Sequence, residues 1–321
     1  MNLLSPDVIA ILLLDGILFL FALIALAISV QIVRKWDRNA TTPLQYALEK
    51  RAYLVATIIE YIFYLKLPLF LYFIYTLDNL SNILPGAMCA AGVTNATVYG
   101  LPLFVVKILD LYLFGFWIVL HRIDMKKPDY PFTKMKFWFF ILIFPFFTLE
   151  VVLEALHMGG INPHVIVSCC GTLFSAAKSS AVSAFITLPT PLILGLFYGN
   201  FVLIAVAWLF KRAFWTALFN LLFIPVAIVS LIAFFSTYVY EMPHHHCPFC
   251  LLQSDYHYVG YFLYTFLFGG TFYGIAAWIA EKLGYGTVRG WLNRSIVLDT
   301  LYLFVVSYYP ISFYLKNGVW L

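Results

Sequence analysis

The chain has 321 residues, 63% of them hydrophobic and only 11% charged, with a formal net charge of +4 and a mean hydropathy of +0.92. Soluble domains are near half apolar and a quarter charged, so this composition excludes a soluble globular protein. The basic residues sit at the ends of apolar stretches rather than in one patch, which excludes nucleic acid as a partner and leaves membrane lipid. The fold class expected is all-α, a polytopic integral membrane protein of about eight transmembrane helices forming a single transmembrane domain over residues 1–321.

A hydrocarbon core about 30 Å thick takes roughly 20 apolar residues at 1.5 Å rise each. The first stretch of that length is 8–33. It is longer than a signal-peptide core, the residues before it carry no Lys or Arg, and it ends in "RKWDRN", so the first helix is expected to be retained. The second span, 52–77, contains Glu60 and Lys66 near mid-depth, and the third, 99–120, contains Lys107 and Asp110. An ionised group at that depth costs several kcal/mol unless it is paired or hydrated. Two acids and two bases on neighbouring spans are therefore expected to form one interhelical charge network, with a proton or ion path as the alternative. Between these spans "PGAMCAAGV" holds Cys89.

The fourth span, 137–157, carries Glu150, Glu154 and His157 at i, i+4 and i+7, a polar stripe on one helical face. Residues 158–186 follow, rich in Gly, Ala and Ser and insufficiently apolar for a ninth span. They include His164 in "NPH" and the vicinal pair Cys169–Cys170 in "VSCCGTLF", and an interfacial or re-entrant helix is expected there. Spans at 187–210 and 214–239 lead into "EMPHHHCPFCLLQSDYHY", residues 241–258, with His244, His245, His246, Cys247, Cys250 and His257. The last spans are 258–280 and 295–315.

Orientation follows from Lys and Arg, which are retained on the cytoplasmic side of the membrane. One set of alternate connections holds 15 of the 19 basic residues; the opposite set holds Lys178, with Lys316 in the tail. Both termini are thus expected outside, in a prokaryotic inner membrane. All five cysteines and every histidine except His121 then fall on the outer, periplasm-facing side, in a Cys/His-rich cap.

Thiolates and imidazoles suit soft transition metals, and Cys-x2-Cys presents two sulfurs from one turn. Cys247 and Cys250, with one or two of His244, His245 and His246, are expected to form a copper or zinc site completed by Cys169 or Cys170 from the neighbouring connection. Cys89, His164, His257 and the stripe of Glu150, Glu154 and His157 are weaker candidates. Haem is not expected: covalent attachment needs His after the second cysteine, where Leu251 stands, and no histidine lies deep in a span. No nucleotide-binding loop is present, so the chain is not a self-powered pump.

The function expected is that of a membrane accessory protein handling a soft metal, copper before zinc, for a periplasmic metalloenzyme such as a copper-dependent respiratory reductase or for other membrane subunits. The alternatives are a thiol–disulfide oxidoreductase relaying between Cys247/Cys250 and the other outward cysteines, with quinone as acceptor, and a membrane anchor subunit with structural disulfides.

Overall fold

The computed structural model describes residues 5–37, 40–167 and 188–321. The described chain is all-helical, without strands, and eight of its helices are long and apolar enough to cross a membrane, the mark of a multi-pass membrane protein. They are α1 (Pro6–Lys35), α2 (Pro43–Ser81), α4 (Gly100–Met125), α5 (Thr133–Gly160), α6 (Thr190–Leu209), α7 (Ala213–Tyr240), α8 (Val259–Lys282) and α9 (Arg289–Asn317), with a short α3 (Ala90–Thr94) between α2 and α4.

The ends of these helices lie close to the expected spans except in α2, which begins nine residues earlier than its apolar run. Its first turns are polar and are started by Pro43 at the first helical position and by Thr42, whose Oγ1 accepts from the Gln45 amide at 3.3 Å. The expected helix within 158–186 falls largely outside the described residues. Of its described part, 158–160 end α5 and 161–167 are non-helical.

The described chain divides into two compact units. The first contains α1, α2, α4 and α5, and the second contains α6 to α9 together with Gly86–Gly92. Each is an up-and-down ring of four helices in which neighbours in the chain are neighbours in space and the last helix returns to the first.

Lipid-facing and inward-facing residues divide each helix in the sense expected where lipid supplies no hydrophobic drive. On α1, Leu13, Leu20 and Ile24 point outward while Asp15, Ala22, Ala25 and Ser29 are buried. Small residues let backbones approach, and the polar ones find partners inside: Ser29 Oγ donates to the Ala25 carbonyl at 2.6 Å. In the first unit Phe63 stacks on Phe114 with centroids 4.2 Å apart and meets Trp117 edge-on at 5.4 Å. At one end of this ring Lys136 bridges to buried Asp124 at 2.7 Å, which ties α5 back to α4. In the second unit Phe197, Phe223, Phe235 and Tyr302 fill the centre. Gly274 is required there, because a Cβ in its place would lie 2.3 Å from Asn220 Nδ2.

Candidate metal centre

In α7 a π-helical turn, Leu231–Phe235, precedes the last helical residues, and Glu241 ends the helix in a left-handed conformation at φ 53°. The chain then turns through Cys247–Pro248–Phe249–Cys250 into a 3-10 turn, Cys250–Leu252, and continues into α8. Several hydrogen bonds hold this turn. Tyr240 Oη donates to the Cys247 carbonyl, Tyr264 Oη to the Pro248 carbonyl at 2.6 Å, and the Leu252 amide to the Phe249 carbonyl at 3.0 Å. Gly260 lets the turn sit directly on α8, since a Cβ there would lie 2.9 Å from the carbonyl carbon and oxygen of Leu251.

Cys89 reaches the same place from the Gly86–Gly92 segment of this unit. Gly86 gives that segment its bend at φ 86°, where a Cβ would press on the Val167 carbonyl at 2.6 Å. Gln253 Nε2 donates to the Met88 carbonyl at 3.0 Å, stapling the Cys89 segment to the Cys250 turn.

The result is a cluster of three sulfurs. Cys89 Sγ and Cys247 Sγ are 3.6 Å apart, and with Cys250 all three sulfurs lie within 4.8 Å of one another. All three residues are buried. The 3.6 Å separation is far beyond a disulfide bond of about 2.05 Å. It is close to the roughly 3.8 Å expected between two thiolates sharing one ion at about 2.3 Å each in tetrahedral geometry. The Phe249 amide donates to Cys247 Sγ at 3.4 Å, a contact that favours a sulfur carrying negative charge.

The histidines are arranged differently from the sequence expectation. No described histidine brings a ring nitrogen into the three-sulfur set. His244 is exposed. His246 Nδ1 donates to the Ile232 carbonyl at 2.9 Å, so that nitrogen is engaged within the π turn. His245 packs edge-on against Tyr240 with centroids 4.4 Å apart. Its Nε2 is buried without a hydrogen-bond partner, and burial holds its imidazole below the ordinary histidine range, opposed by nearby Cys89. His257 and His164 are exposed. Cys169 and Cys170, the expected closing ligands, lie outside the described residues. The sulfur that joins Cys247 and Cys250 here is Cys89, because the Gly86–Gly92 segment packs with the second unit.

The charged residues expected within the first unit are also redistributed. Lys66 contacts Asp15 at 2.8 Å and Glu150 at 2.8 Å. Lys107 contacts Glu150 at 2.6 Å, Glu154 at 2.7 Å and Asp15 at 3.7 Å. Asp110 is buried beside them, within electrostatic reach of Glu150, Lys66 and Lys107. Glu60, expected in this network, instead approaches His121 at 3.6 Å and Arg122 at 3.8 Å. Glu150 and Glu154, expected as a stripe with His157, are the acids that hold the two lysines. His157 is separate, its Nδ1 2.6 Å from Thr97 Oγ1. Asp15 was not among the expected residues, although a lone acid in "LLLDGILF" is itself a signal.

No protein-family model, no curated protein and no solved structure matches the chain.

Proposed function

We propose that the chain is a membrane accessory protein that holds a soft transition metal at Cys89, Cys247 and Cys250 and hands the metal, or electrons through it, to a periplasmic metalloenzyme such as a copper-dependent respiratory reductase. The observation that carries this reading is the gathering of three buried sulfurs within 4.8 Å from two distant parts of the chain. Thiolates select Cu(I), zinc and iron–sulfur centres. Three soft donors satisfy Cu(I), whereas structural zinc takes four, so copper stands before zinc. Two lines support an outward-facing site in a prokaryotic inner membrane: the 15 basic residues in the alternate connections, and the position of the thiols between helix ends rather than within a span.

The test is metal analysis of protein purified under reducing conditions, with thiols counted before and after reduction. About one copper per chain, lost in Cys89→Ser, Cys247→Ser and Cys250→Ser, is the expected result. The 3.6 Å contact of Cys89 with Cys247 favours a second reading, a thiol–disulfide relay with quinone as acceptor. Metal-free protein containing a reducible Cys89–Cys247 bridge would select it. Against a relay stands the burial of all three sulfurs, since exchange needs an accessible thiolate.

A further inference from the structure

The charge cluster of the first unit does not balance. Asp15 on α1, Lys66 on α2, Lys107 and Asp110 on α4, and Glu150 and Glu154 on α5 are each at most 3% exposed. Four carboxyls therefore face two ammoniums in the middle of a ring of apolar helices. The lysine contacts account for Asp15 Oδ1, Glu150 Oε1 and Glu154 Oε2. No donor reaches Glu150 Oε2, Glu154 Oε1 or either oxygen of Asp110, and Asp15 Oδ2 has only a distant ammonium at 3.7 Å. Asp15, Glu150 and Glu154 each bring a carboxylate oxygen to within 4.8 Å of the others, and Asp110 is buried on the same face of α4 as Lys107, one turn away. Two carboxylates cannot bond one another unless one of them carries a proton.

We propose that this cluster is a proton-binding site holding two exchangeable protons shared among Asp15, Asp110, Glu150 and Glu154. With both protons bound, the site has two ammoniums, two carboxylates and two carboxylic acids and is neutral, and the orphaned oxygens gain donors. Release of both leaves four carboxylates against two ammoniums, a net charge of −2 in a setting of low dielectric. Protonation at this site therefore biases the packing of all four helices.

A metal ion is the poorer occupant, because the Lys66 and Lys107 ammoniums already stand among the carboxylates where a cation would sit. His157 does not take part, its Nδ1 being committed to Thr97. Phe73 and Phe147 close the cluster, with Lys107 Nζ 4.6 Å and Lys66 Nζ 5.0 Å from their ring centroids.

Infrared spectroscopy of the purified full-length chain in lipid nanodiscs tests this, in an Asp299→Asn background because Asp299 is a further buried carboxyl of the second unit. At neutral pH a carboxylic-acid C=O band that moves in D2O is expected, falling by about half in Asp110→Asn and by about half in Glu154→Gln. On alkaline titration the unsubstituted site is expected to lose the band, so the proposal is tested even where a variant does not fold. Absence of the band at neutral pH, or a band untouched by both variants, overturns it. Loss of the band on adding sodium chloride at fixed pH, with choline chloride inert, identifies a sodium site and equally overturns it.

Discussion

Cys89 and Cys247 are 158 positions apart in the chain, yet their sulfurs lie 3.6 Å from each other in the interior of the second unit. Cys250 completes the set through the turn that Cys247 begins, and the metal reading depends on all three. Replacing Cys89 or Cys250 by Ser is therefore expected to reduce bound metal to a small fraction of one per chain, with the helical content unchanged by circular dichroism. Gln253 fastens the Cys89 segment through the Met88 carbonyl. Gln253→Leu is expected to weaken metal affinity by about 10–100-fold, as loss of an outer-shell support does, measured by competition with a chelator.

Gly260 tests the packing beneath the turn. A methyl group there would meet the Leu251 backbone at 2.9 Å, and backbone cannot rotate out of the way. Gly260→Ala is expected to destabilise the second unit by about 1–3 kcal/mol and to lower metal content. Gly195→Ala is the matched control, because nothing lies within 4 Å of that position. Thermal unfolding in detergent, followed together with metal content, reads both effects.

Among the described residues Lys107 is the only ammonium partner of Glu154, whereas Asp15 and Glu150 also have Lys66. Lys107→Met is expected to cost about 3–5 kcal/mol by stranding a buried charge. Addition of Glu154→Gln is expected to recover much of that loss, while addition of Glu60→Gln recovers none, since Glu60 sits with His121 and Arg122. Equilibrium unfolding of the single and double variants gives the coupling energy directly.

Orientation is read by single-cysteine labelling with Cys169 and Cys170 replaced by Ser, the three clustered thiols being buried. Ser254 and Asp129 are both exposed, in the sixth and third connections between spans, which the count of basic residues assigns to opposite sides. A membrane-impermeant maleimide applied to intact cells is expected to label Ser254→Cys. It is expected to label Asp129→Cys only after the membrane is opened.

The eight spans were legible because the property that makes them is local: about 20 apolar residues in a row, with Lys and Arg gathered at one end. Residues that share one helical face were legible for the same reason. Glu150 and Glu154 are one turn apart, and so are Lys107 and Asp110, and each pair acts together in the fold. Glu60 and Lys66 are six positions apart, which at about 100° per residue turns them some 240° from each other and about 9 Å along the axis. They therefore serve different partners, Lys66 inside the ring and Glu60 near Arg122. The identity of those partners was not in the sequence pattern. Asp15 joins the lysines because α1 closes the ring against both α2 and α5. Cys89, a weaker candidate from the sequence, joins Cys247 and Cys250 because the Gly86–Gly92 segment packs with the second unit. Hydropathy and spacing determine where a helix lies and which of its residues point the same way. Only tertiary packing decides what stands opposite them, since that depends on the rotation of each helix and on backbone approaches that glycines such as Gly86 and Gly260 permit.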